Sequence, residues 1–334
     1  MKKYLVMSAV MLSACTPSSN TKTIPDIPAD KWVDLSKVEK PAPIANTPWF
    51  DVTVIVKDFD DIAPFFTNIA GYETVAKNEA DWLLGAPGSD NGYIHLVKNE
   101  DALGPSRPAT SKSWDKGCYW SIMMRAKDIP SIIEDAKPLG WTPLTDVAFL
   151  KFGPSELNIV VLTHESGVRV QLYERMTTPL PEGFTPFERV SRPFNIMQMV
   201  EDRDAAYAFL RTGLGFENFY FGKPTLSEKE EVMPLGIPPK LTTTKPYKAG
   251  IVTPFDGAEW GRMEVIDIEG MDGENYVERC TTDYTGIYGV GFIVPDIAEV
   301  KASLSLRSIP IAEENKMSVW VKAPDGANIE FWQR

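Results

Sequence analysis

Arg192-Pro-Phe-Asn-Ile-Met-Gln-Met-Val-Glu-Asp202, continued by the amphipathic run Ala206–Phe216, decides how this chain is read. An apolar strand runs into an Asp. Ala206, Phe209, Leu210 and Leu214 then share one helical face, and Gly215 follows. The amphipathic run after the Asp predicts a helix, and Gly suits the left-handed turn that ends it. The same programme starts at Trp49–Asp58, Gly117–Asp128 and Tyr288–Asp296. The passes close on alternating strands at Gly92–Lys98, Val168–Arg175, Gly261–Glu269 and Asn328–Trp332. A unit of one helix and about four strands leaves one sheet face bare, so such modules are expected to pair.

The chain has 334 residues, 43% of them hydrophobic and 24% charged, which is globular composition with room for two domains. Its net charge is −12, and −14 once residues 1–14, with Lys2 and Lys3, are removed. No basic stripe accompanies that acidity, which argues against nucleic acid as a partner. Lys2 and Lys3 precede an apolar run, Tyr4–Leu12, far shorter than the ~20 residues of a bilayer span. Leu12-Ser13-Ala14-Cys15 then resembles a bacterial lipobox. The expectation is a signal peptide over 1–14, lipidation at Cys15 and a polar tether over 15–46. Thr16, where inner-membrane retention would favour Asp, resembles outer-membrane sorting; the domains would then face the periplasm. Of the remaining cysteines, Cys118 and Cys280 are read as buried free thiols, with a disulfide as the alternative.

The modules lie at about 47–100, 117–176, 193–270 and 286–334, and the proline-rich joint Thr177–Arg192 divides them into domains 47–176 and 193–334. Module three carries a long insertion, Lys223–Pro246, read either as a lid or binding loop or as a surface excursion.

Three stretches carry a family resemblance: Arg192–Asp202 with Ala206–Phe216, Gly289-Val-Gly-Phe-Ile-Val-Pro-Asp296, and Ala323-Pro-Asp-Gly-Ala-Asn-Ile-Glu-Phe331. They resemble the glyoxalase, or vicinal oxygen chelate, superfamily. The resemblance implies an α+β fold in which tandem βαβββ modules pair into two cup-shaped mixed sheets, as in glyoxalases, bleomycin-resistance proteins and dioxygenases. It further implies that ligands project from the first and last strands of each module. The first-strand slots fall on Asp51, Ser121, Asn195 and Gly289, and the last-strand slots on His95, Gln171, Glu264 and Glu330.

With modules paired in chain order, the N-terminal cup would present Asp51 and His95, as an ion-holding or general-base pair or as a structural one. The C-terminal cup would present Asn195, Glu264 and Glu330, an oxygen-only set suited to Mg, Mn or Ca. Without a metal, Glu264 and Glu330 would act as a carboxylate acid–base pair, and Arg262 could instead neutralise Glu264. Tyr220, Trp260 and Arg262 would line the mouth, Met197 and Met199 the floor, and His164 would be solvated at a turn. Three functions stay open: a lyase- or isomerase-type enzyme acting on a small oxygen-bearing molecule, a metal-free lipoprotein that binds a small molecule, and a scaffold in an envelope complex with both cups filled by side chains.

Overall fold

The computed structural model describes residues 21–23, 32–152, 154–180 and 184–334. The expected signal peptide and Cys15 lie outside the described residues. Each Asp predicted to start a helix does so: Asp58, Asp128, Asp202 and Asp296 are all N-caps whose carboxylates accept from backbone N–H groups. The helices that follow include Ile129–Ala136, Arg203–Ala208 and Ile297–Leu306. In module one a short turn at Phe59–Asp61 leads into a π-helical turn at Phe65–Ile69.

The modules form two mixed sheets, of eight and eleven strands. The smaller sheet has at its centre the opening strands of modules one and four, Asp51–Val56 and Gly286–Val294, paired antiparallel. Each is flanked in parallel by its own closing strand, Tyr93–Lys98 and Asn328–Gln333. The larger sheet repeats this plan with Tyr119–Ala126 and Val190–Met199 inside, and Arg169–Arg175 and Arg262–Ile268 outside. Module one therefore pairs with module four and module two with module three. This corrects the expected division into 47–176 and 193–334.

The reason lies in the two connections that cross between the sheets. They run side by side: Leu103 N–H donates to Asp283 O (2.8 Å), Ser106 N–H to Thr285 O (2.7 Å) and Thr285 N–H to Gly104 O (2.8 Å). At Gly117, with φ of +88°, a Cβ would stand 2.6 Å from Val277 N, so the approach requires glycine. Asp115 Oδ1 accepts from Glu274 N–H across the pair (3.0 Å). Arg107, fully buried, donates to the carbonyls of Gly117, Lys112 and Asp115 at 2.6–3.2 Å. Beside it Arg169 donates to Pro108 O, Ala109 O and Ser111. Cys118 and Cys280, read from sequence as free thiols, are joined here in a disulfide across 162 residues of chain.

One face of each sheet shares a single core. Val52, Val54, Leu96, Phe292 and Phe331 from one sheet join Ile122, Met124, Leu172, Ile196 and Val265 from the other. Polar ties cross the same boundary, with Tyr119 OH donating to Asn328 O (3.1 Å) and Tyr72 OH to Ser191 O (3.0 Å). The Gln198 amide donates to the buried Asp325 carboxyl. The later part of the expected tether is also docked, since Arg211 donates to Leu35 O, Ser36 O and Val38 O. Thr21–Thr23 pairs with Thr225–Ser227 of the insertion as an edge strand.

Replacing Cys118 and Cys280 together by Ser is expected to lower stability by about 3–5 kcal/mol, the range for a bond closing a long loop. Denaturant unfolding measures it; a loss below about 1 kcal/mol would show that the crossing holds without its covalent tie.

Candidate functional site

The alternate residues that do not enter the shared core face the two cups. In the module one–four cup these are Asp51 and Thr53, His95, Gly289 and Gly291, and Glu330 and Trp332. Three predicted positions, Asp51, His95 and Glu330, thus meet in one cleft of about 510 Å³, walled by Phe50, Leu83, Met317 and Trp332. Gly291 stands opposite both Asp51 and Glu330, and a Cβ there would lie against Asp51 Oδ1, so its missing side chain makes room for that carboxylate. The ligand slot at Gly289 is filled from outside, because a Cβ would stand 2.8 Å from the Trp320 ring.

His95 Nδ1 lies 3.2 Å from Asp51 Oδ2, and its Nε2 lies 3.0 Å from Asp81 Oδ1. Burial works to lower the imidazole pKa, but the hydrogen bonds and charges of Asp51 and Asp81 outweigh it and raise the value. An acceptor at each ring nitrogen requires a proton on each, which is the imidazolium. Glu330 is pushed up to about 7, first by burial and also by the Asp51 charge, while the Ser318 hydroxyl and His95 oppose the shift. The cleft therefore holds a cation and an acid that changes state near neutrality.

A divalent ion does not fit this arrangement. Both imidazole nitrogens are committed to carboxylates, and among the described residues no three His, Cys, Asp or Glu side chains converge closely enough to hold an ion.

The expected metal set Asn195, Glu264 and Glu330 is divided between sheets, since Glu330 belongs to module four and the other two to module three paired with module two. In that second cup Asn195 Nδ2 donates to Glu264 Oε2 (2.8 Å), Ser121 lies at 3.4 Å from Gln171 Oε1, and Gln171 donates to Tyr173 OH (2.8 Å). Glu264 is also pushed up to about 7, by burial acting against Asn195 and Arg262. Arg262 donates to Ala258 O and pairs with Glu259 at 3.5 Å, so its link to Glu264 is one of charge. The insertion fills this cup: Met233, Leu235 and Ile237 pack with Met197, Met199 and Ile266, and Tyr220 and Trp260 lie against them. Trp260 also stacks 3.6 Å from the Arg192 guanidinium. His164, expected in solvent, is buried, with Nδ1 at 3.0 Å from Ser166 Oγ and its ring 5.3 Å from Trp141.

Asp81 was not among the expected site residues, yet it completes the His95 environment. Its strand, Asp81–Gly85, pairs antiparallel with Tyr93–Lys98 so that Leu83 lies opposite His95. The alternation of that strand carried the signal, but its partner was not readable.

Solved structures of the same fold include a glyoxalase I variant from Zea mays, with 15% identity and a TM-score of 0.59, covering 86% of this chain and 92% of that one. Glyoxalase I of Zea mays itself aligns at 14% identity and a TM-score of 0.55, with coverages of 86% and 92%. A candidate dioxygenase from Bacillus subtilis gives 11%, 0.50, 88% and 86%. No family model matches the chain, and no curated protein matches it in sequence. The fold is that of the vicinal oxygen chelate superfamily, as the repeated modules implied.

Glu264, Asp325 and Glu330 all titrate near 7 in the folded protein, each pushed up chiefly by burial. Between about pH 4 and 7 the folded state keeps protons that the unfolded chain releases, so stability falls as pH rises through this window. His95, also raised from 6.5, acts in the same sense. The thermal midpoint is expected to drop by several degrees from pH 5.5 to 8, and Glu264→Gln to flatten the slope. Calorimetry across that range decides, and a midpoint rising toward pH 8 would contradict the assignment.

Proposed function

We propose that the module one–four cleft is the working site of a lipid-anchored cell-envelope protein that binds a small oxygen-bearing molecule and moves a proton on it without a metal. The observation that carries this is the presence of Glu330, titrating near 7, and the His95 imidazolium in one largely apolar cleft. Ionised Glu330 takes a proton from carbon next to a substrate carbonyl. The carbonyl oxygen replaces the half-exposed Asp81 at His95 Nε2, where the cation stabilises the enolate oxygen. Glu330 then returns the proton. Asp51 holds the ring from the other side, and Gly291 leaves room for it.

The runner-up is a binding protein without chemistry. The apolar walls Phe50, Leu83, Met317 and Trp332 favour it, because they offer packing surface and no reacting group. Envelope placement is supported by the charged, apolar and small-residue order of Lys2–Cys15 and by the Cys118–Cys280 pairing, which suits an oxidising compartment. The anchor would sit in the outer membrane, with the cleft facing the periplasm.

Incubation with a panel of small α-hydroxy ketones in D2O, followed by NMR, is expected to show exchange of the α-proton. Glu330→Gln is expected to reduce it by about 100-fold or more. Binding without exchange would favour the runner-up, and exchange abolished by a chelator and restored by Mn would overturn the metal-free reading. Cys15→Ser is expected to abolish lipid labelling and leave uncleaved precursor.

A further inference from the structure

We propose that the rim of the module two–three cup is a second binding site, for a small planar carboxylate gripped by the guanidinium of Arg125. Arg125 lies near the end of Tyr119–Ala126 and keeps only 8% of its surface. Its guanidinium stands 4.1 Å from the Phe194 ring centroid and 5.7 Å from that of Tyr173. Its Nε has no acceptor, and among the described residues no carboxylate forms an ion pair with it. A buried guanidinium without a partner is costly; other buried arginines here also leave one nitrogen unbonded or stack on a ring, but they donate through their remaining nitrogens, whereas the Arg125 guanidinium makes no hydrogen bond among the described residues. Arg107 and Arg169, equally buried, are each surrounded by backbone carbonyls.

The surroundings point to an anion. Burial and the nearby charges of Arg175 and Arg262 pull Arg125 down to about 10, with Tyr173 and Glu259 acting against them. Shape narrows the class. The Phe194 ring stands against the guanidinium carbon, and the N–H groups of a guanidinium lie in its own plane, where a carboxylate meets them with paired bonds. Half-buried Phe219 and Trp260 add aromatic walls at the same rim.

Benzoate serves as the probe, with thermal shift as the readout at constant ionic strength. A ligand that binds only the folded state raises the midpoint as its concentration passes the dissociation constant. Wild-type protein is expected to respond saturably to benzoate and not to chloride. Arg125→Met, which keeps the aromatic packing, is expected to lose the response; Arg125→Lys, which keeps charge without the planar edge, to weaken binding by about 10-fold or more. Glu330→Gln is expected to retain it, which separates this site from the module one–four cleft. A response to inorganic phosphate but not benzoate, an equal response to chloride, or an unchanged benzoate response in Arg125→Lys would each overturn the proposal. Should Arg125→Met fail to fold, the wild-type titration and Arg125→Lys decide alone.

Discussion

The crossing of two connections, residues 101–117 and 274–286, is the constraint on which the rest of the molecule depends. Adjacent crossings return the chain from module three to the sheet that module one began. The disulfide, the buried Arg107 carbonyl cage and the Asp115 bridge all act at this one place. Backbone carbonyls at a sharp crossing cannot all find strand partners, and a guanidinium with several fixed donors satisfies several of them at once. Because the crossing decides which modules pair, it also decides that Glu330 meets Asp51 and His95 while Glu264 meets Asn195.

Two cups of one design have diverged through what fills them. In the module two–three cup the insertion supplies Met233, Leu235 and Ile237, and methionine and isoleucine on the floor accommodate it. That packing leaves Glu264 in low-dielectric surroundings, with one amide to hold it, and pushes the polar character outward to the arginines of the rim. The module one–four cup has no comparable plug among the described residues and keeps a cleft open over its acids. There the imidazole lies between Asp51 and Asp81, while burial and the Asp51 charge still push Glu330 up to about 7 against the opposing effect of His95.

Identity of 11–15% with proteins of the same fold fits how little each module specifies. An Asp that caps a helix and a strand that alternates are enough to build the module, whereas the residues on the cup faces remain free to vary. The strand positions where the resemblance implied ligands are a case in point: Gly289 and Ser121 occupy two of them, and Trp320 fills the space beside the first.

What the sequence by itself determined was local. The four modules follow from period-two and period-three-to-four patterning, which residues a few positions apart set between themselves, and the positions Asp51, His95, Asn195, Glu264 and Glu330 were implied by the resemblance of those modules to the glyoxalase superfamily. Only the tertiary structure decided the partners. Four similar modules present similar edges, so pairing one with two or one with four satisfies the same alternation; the choice rests on contacts between segments some 160–180 residues apart, such as Cys118 with Cys280 and Leu103 with Asp283. Hence the cleft of Asp51, His95, Asp81 and Glu330, the burial of His164, the docking of the tether onto Arg211 and the plugging of the second cup could not be read along the chain. Each depends on which surface arrives opposite, and that is a property of packing and not of pattern.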